Sequence, residues 1–269
     1  MGDTTTVPDL AEEFADEAEP LADLDELLWD PIATAAVSRS HPQFDERVLD
    51  ACSRGGASAL PTAELVWHGG AVDAVDPDEL LVDRARERAG GRMPQLRLHV
   101  ADITEWEGEG YDLVQCVLGV HTFADVEADT RRLIERARPG GRVAITLWAR
   151  GALEPLPELL AAAAPDDDGD RVAVVSPTIA PADTAGTLAH WLTELGLVDV
   201  RAESVQRHLD LTPDLAWSLV LGTGLGTAIA ELDDAELEGV RKAFLTALAE
   251  RNVRSVDATT LIAVGRRPE

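Results

Sequence analysis

Residues 47–58 read RVLDACSRGGAS. Val48 and Leu49 make a short apolar run. The chain then turns through small residues and two glycines, and a stretch with helical composition follows at 57–65. A buried strand that ends in a small-residue turn and enters a helix is the layout of a cofactor-binding first βα turn. Backbone N–H groups of such a turn, at a helix N-terminus, suit a carboxylate or phosphate. Cys52 and Arg54 stand where a nucleotide-binding turn usually has glycines.

Outward from this turn the chain alternates between strand and helix. The spacing predicts strands at 47–52, 71–75, 95–101, 111–118 and 142–148. Helices are expected at 57–65, 78–89 and 126–137. Asp76 and Pro77 read as an N-cap and first helical residue, and Gly90-Gly91 as a left-handed helix end. Asp125 reads as the next cap, and Pro139-Gly140-Gly141 as a helix stop. Strands separated by helices imply right-handed crossovers and a parallel sheet with helices on both faces. Helices are expected again at 153–165 and 184–195, and a surface loop at 166–170. A strand at 197–209, a helical insertion at 213–250 and a closing strand at 257–265 suggest an antiparallel finish. Residues 1–24 are expected to be an acidic, mobile tail or a loosely packed helix, and 25–46 to form helices that lie over the domain at 47–269.

Fifty acids oppose 23 bases in the 269 residues, a net charge of -27. A phosphate-binding surface needs cations, so neither nucleic acid nor an anionic membrane surface is an expected partner. No apolar run reaches a membrane span, and the acidic N-terminus lacks a signal core. Two cysteines without a spacing motif predict neither a disulfide framework nor a metal site. The expected compartment is the cytoplasm. The oligomeric state, a homodimer included, stays open.

Ligands of open α/β sheets bind beyond the carboxyl ends of the strands. Asp50, Cys52 and the turn to Gly56 stand at the end of the first strand. Asp76 ends the second, Asp102 the third, and Cys116 to His121 the fourth. An acid after the second strand suits two ribose hydroxyls, and an acid after the third suits an exocyclic amine.

These residues resemble the class I S-adenosylmethionine-dependent methyltransferases, and most nearly their actinobacterial small-molecule members. The resemblance rests on VLDACSRGGAS (48–58), AVDAVDPDELLVDRAR (71–86), LHVADITEW (98–106), YDLVQCVLGVHTFADV (111–126) and RPGGRVAITLW (138–148). It implies an α/β fold: a Rossmann-like, doubly wound, mostly parallel seven-stranded sheet whose last strand is antiparallel. It also implies S-adenosylmethionine as cofactor and a small-molecule acceptor. The turn through Asp50, Cys52, Arg54 and Gly56 would approach the methionine part. Asp76, followed by Pro77, would bind the ribose. Asp102 and Ile103 would hold the adenine, and Cys116 and Val117 would line the methionine side.

The family turn usually reads Asp-x-Gly-x-Gly-x-Gly, and only the last glycine remains, as Gly56. Glycine there tolerates positive φ and lets a ligand approach the backbone. Arg54 can swing to solvent, fill the methionine pocket or pair with a carboxylate. His121 is a candidate general base, since histidine titrates near neutrality, or a polar turn residue. Trp29, Trp148 and Trp217 are candidates for the acceptor pocket wall or for ordinary core. The altered turn also keeps a second function open, a methyltransferase-fold protein that no longer transfers methyl groups and instead binds, regulates or catalyses another reaction such as a cyclisation.

Overall fold

The computed structural model describes residues 24–164, 166–167, 170–171, 178–179, 182–230 and 232–269. The expected acidic tail, apart from Leu24, lies outside the described residues. A π-helical turn, Asp25–Trp29, runs into α1, Asp30–Ser40. Then come β1 (Arg47–Ala51), α2 (Ala59–Val66), β2 (Ala71–Asp76), α3 (Glu79–Ala89), β3 (Leu96–Val100) and β4 (Tyr111–Val117). They are followed by α4 (Val126–Glu135), β5 (Ala137–Trp148) and α5 (Leu156–Ala163). The acidic run carries two short paired strands, β6 (Asp166–Asp167) and β7 (Asp170–Arg171), in place of a plain loop. The chain continues through α6 (Ala185–Glu194), β8 (Val198–Val205), β9 (His208–Asp210), α7 (Pro213–Gly222), α8 (Asp234–Glu250), β10 (Ser255–Asp257) and β11 (Thr260–Arg266).

Seven strands join in the order β3-β2-β1-β4-β5-β11-β8. The pairs from β3 to β5 are parallel, and β11 runs antiparallel to both β5 and β8. The expected doubly wound sheet is therefore present, with its strand order reversing between β1 and β4. That switch point is where a ligand crevice opens in such sheets. β1 is buried at four of its five residues, Asp50 among them. The expected closing strand is two strands. β10 pairs with β9, and β11 completes the large sheet. The insertion holds α7, a 3-10 segment Gly224–Ile229 and α8, whose Asp233 and Glu236 form a capping box.

Two local expectations change. Asp78, not Asp76, caps α3: its side chain accepts from Leu80 N and Leu81 N. Asp76 is a strand residue whose carboxylate faces the first turn, so Pro77 precedes the helix without opening it. The helix before β5 ends at Glu135, and Pro139-Gly140-Gly141 lie inside β5. Gly140 takes φ +70 and its N–H bonds to Arg267 O, so this segment shapes the strand's entry beside β11.

A buried polar network ties the sheet to the helices beneath the switch point. Gln115 Nε2 donates to Asp50 Oδ2 and Thr62 Oγ1, both at 2.9 Å. Ser58 Oγ donates to Asp50 Oδ1 at 3.0 Å, and Ser40 Oγ to Gln115 Oε1 at 3.2 Å. Burial raises the Asp50 pKa to about 7, against the lowering effect of its two donors. A glutamine inside the apolar strand YDLVQCV is thus the hub of four elements. Gln115→Leu leaves Asp50 with one donor, and the expected loss is about 3 kcal/mol in urea unfolding at neutral pH. An unchanged midpoint would contradict this role.

Candidate functional site

The first turn keeps the geometry of a glycine turn without the glycines. Cys52 has φ 56, Arg54 φ 48 and Gly56 φ 80, all left-handed. A side chain in that region costs on the order of 1 kcal/mol, so two strained residues are held by their surroundings. Ser53 N donates to Val75 O at 3.1 Å and Arg54 N to Asp76 Oδ2 at 2.8 Å. Asp76 Oδ1 accepts from Asp78 N at 3.1 Å. Asp76 is 4% exposed, and burial raises its pKa while the two backbone N–H groups oppose the rise. Gly56 is also closely packed: a Cβ there would press on Leu60 Cδ1 and lie 3.1 Å from Ala85 Cβ.

Arg54 does not reach out to solvent. Its Cζ sits 4.6 Å from the centroid of the Trp29 ring, and Nη2 donates to Gly222 O at 2.9 Å. One side chain therefore joins the first turn to the N-terminal cover and to the insertion. Burial lowers the Arg54 pKa, while Asp76, Asp25 and Asp78 oppose the shift from a distance. The cover is latched separately. Arg84 Nε donates to Asp25 Oδ2 at 2.8 Å, and Arg88 holds both Asp30 oxygens at 2.7 and 2.9 Å. Arg88 Nη1 also donates to Gly55 O at 2.9 Å.

Cys52 and Cys116 meet at the ends of neighbouring strands. A Cβ at Gly119 would lie 2.7 Å from each sulfur, and the Cys116 thiol raises the Cys52 pKa well above its usual range. Both cysteines are unbridged thiols, and protonated sulfur makes Cys52 an unreactive lining group. Cys52, Arg54, Ala57, Val117 and His121 are half-buried among fully buried neighbours by the ends of β1 and β4, at the switch point where ligand crevices lie in such sheets. Ser53 Oγ and His121 Nδ1 are buried there without a hydrogen-bond partner.

His121 sits in a 3-10 turn after β4, with the insertion against it. A Cβ on Gly224 would lie 3.0 Å from its Nε2. Burial, then the Arg54 charge, lowers its pKa to about 4, so it is neutral at pH 7. A neutral imidazole with so acidic a conjugate acid accepts a hydrogen bond readily and takes up a proton poorly. His190 and His208 lie exposed, away from the crevice.

The remaining sequence candidates divide. The Asp50 carboxylate turns inward into the Gln115 network and has no exposed surface. Asp102 stands on an exposed loop, where its Oδ1 accepts from Thr104 N and Oγ1, and Ile103 beside it is buried. That loop is anchored through Trp106, whose Nε1 donates to Tyr111 Oη at 3.1 Å, and Tyr111 donates to Asp73 at 3.0 Å. Pro77 is exposed, Cys116 buried and Val117 half-buried. Trp148 and Trp217 are core: Trp148 packs on Trp29 at 6.4 Å, and Trp217 on Phe244 at 5.9 Å. Sequence reading missed Ser53, Gln115, Gly119 and Gly222. Only Gln115 carried a signal, as a polar residue in an apolar strand. A separate cleft of about 750 Å³ lies between α1 and the β8–β11 edge. Two of its four arginines, Arg39 and Arg142, are paired with Glu203 and Glu46.

A family model described as a methyltransferase domain matches residues 48–141. The chain is similar to nocamycin O-methyltransferase of Saccharothrix syringae, 28% identical over 209 residues, 71% of this chain and 72% of that one. Among solved structures, the YcgJ protein from Bacillus subtilis superposes with a TM-score of 0.58 and 14% identity, over 88% of this chain and 98% of that chain. Haemonchus contortus phosphoethanolamine N-methyltransferase 2, in complex with S-adenosyl-L-methionine, gives 0.53 and 18%, over 88% and 52%. Residues 48–141 thus match a methyltransferase-domain model, and the chain shares the fold of a solved methyltransferase.

Two outcomes check this geometry. Gly119→Ala forces its Cβ onto both cysteines and is expected to cost about 2 kcal/mol. In a Cys52→Gly background that cost falls by at least about 1 kcal/mol, and additive costs in urea unfolding would contradict the contact. His121 has a folded pKa below its ordinary 6.5, so its contribution is full above pH 6.5 and lost as pH falls toward 4. His121→Phe should therefore close or reverse a gap of about 2 kcal/mol relative to the wild type between pH 7 and pH 5. Parallel stability curves for the two proteins would contradict it.

Proposed function

We propose that this protein transfers a methyl group from S-adenosylmethionine to a small-molecule acceptor. The observation that carries the proposal is the first turn. It holds left-handed backbone at 52, 54 and 56 although only one of the three is glycine. Backbone strain of this kind clusters at active sites and ligand clamps.

The residues present fit the cofactor. Asp76 uses two of the roughly four acceptor positions of a carboxylate, which leaves capacity for ribose hydroxyls. Asp102 Oδ2 is free of side-chain and backbone donors among the described residues and suits the adenine amine, with Ile103 packing beside it. The orphaned Ser53 Oγ and His121 Nδ1 supply polar contacts at the methionine end. Cys52, Cys116 and Val117 form a neutral lining. When bound, S-adenosylmethionine supplies an electrophilic methyl group on a sulfonium centre.

The rest is done by this chain. Trp29 and the insertion cover the crevice and exclude water. Fixing two reactants in line is the main source of rate in such a transfer. His121, neutral at pH 7, orients by accepting a hydrogen bond.

Calorimetric titration with S-adenosylhomocysteine tests the cofactor site. Binding in the micromolar range is expected, and Asp76→Ala should weaken it by roughly 10- to 100-fold. Absence of binding at about 5 mM ligand in the folded wild type would sink the reading.

A further inference from the structure

The Arg54 guanidinium has N–H groups to spare at the switch point. It has five N–H groups, yet its side chain makes one hydrogen bond, to the Gly222 carbonyl, besides its contact with the Trp29 ring. Among the described residues it forms no ion pair. This is a chain with fifty acids, and its neighbouring arginines are paired: Arg84 with Asp25, Arg88 with Asp25 and Asp30. Nor can a nearby acid be recruited cheaply. Asp25 is held by Arg84 and Arg88, Asp76 by the N–H groups of Arg54 and Asp78, and Asp78 by its capping of α3. Arg54 is half-buried, and its free N–H groups are not among the sealed, unpartnered polar atoms of the described residues, so they remain available to an anion.

Position says which ligand. The Arg54 backbone belongs to the cofactor turn through its bond to Asp76. Its guanidinium belongs to the far side, between Trp29 of the N-terminal cover and Gly222 at the end of α7. The charge is thus presented to whatever enters beneath the cover and the insertion, next to the turn. A planar fork of N–H donors matches the two oxygens of a carboxylate. A single cation beside a neutral His121 suits a monoanion better than a phosphate.

We propose that the acceptor carries a carboxylate and that Arg54 binds it, which makes Arg54 the residue that sets acceptor specificity. The inference rests on the methyl-transfer reading. Transfer to a carboxylate oxygen forms one C–O bond and breaks the methyl–sulfur bond, whose electron pair stays on sulfur. The products are an ester and a thioether, and no proton moves. Such an acceptor needs no general base, in keeping with a His121 that binds protons weakly.

The test uses the full chain saturated with S-adenosylhomocysteine, which is titrated first for every variant, and compares benzoate with benzamide by calorimetry. Benzoate should bind roughly 10-fold or more tightly than benzamide. Arg54→Met should abolish that preference, and Arg54→Lys, which keeps the charge without the fork, should keep part of it. A wild type that takes up no S-adenosylhomocysteine overturns both this inference and the reading beneath it. A cofactor-loaded protein without a benzoate preference, or a preference that survives in Arg54→Met, overturns this inference alone.

Discussion

The carboxylate of Asp76 holds the first turn and the approach to α3 in one register. One oxygen takes the N–H of Arg54 and the other that of Asp78. The first of these bonds fixes the peptide of a residue whose φ is strained, and so decides where the Arg54 side chain leaves the turn. From there the guanidinium reaches Trp29 and Gly222, which brings the N-terminal cover and the insertion over the crevice. The sheet supplies the frame, since β1 and β2 end side by side and Ala51 pairs with Val75. An aspartate at the end of β2 is therefore both a ligand candidate and the strut that keeps the altered turn in shape.

The network under the turn works on the same frame from the other side. Asp50, Gln115, Ser58, Thr62 and Ser40 close one another's hydrogen bonds within the core. Asp50 sits too deep to touch a ligand, and its raised pKa is the consequence of that depth. Asp50 and His121 have opposite responses to acid. Protonation relieves the buried carboxyl as pH falls, while the buried imidazole resists it. The two trends offset each other between neutral and mildly acid pH.

Much of the fold was legible because its signals are local. Apolar runs ending in Asp50, Asp76 and Asp102 mark parallel strands and place three acids along one edge. Gly90 and Asp125 behave as the sequence says they should, as a left-handed helix end and a helix cap. The misread boundaries have local causes as well. Asp76 and Asp78 are both plausible caps two residues apart, and backbone bonding to the first turn claims the former. Pro139-Gly140-Gly141 shapes a strand through its partner near Arg267, a contact invisible from the segment alone. The direction of Arg54 was the least legible feature. The sequence allows it to face solvent, the methionine side or a carboxylate. The choice is made by Trp29 and by Gly222, the latter 168 residues away. His121 likewise reads as a base by type and becomes a neutral, burdened imidazole through its burial.

The account turns on one arrangement: cofactor on the turn's backbone, Arg54 on the acceptor side. A crystal structure of the protein with S-adenosylhomocysteine tests it most directly. The account predicts the ligand along the ends of β1, β2 and β4, with its ribose at Asp76 and the Arg54 guanidinium still against Trp29 and Gly222. A guanidinium driven out to solvent by the ligand, or a ligand bound elsewhere on the molecule, would contradict it.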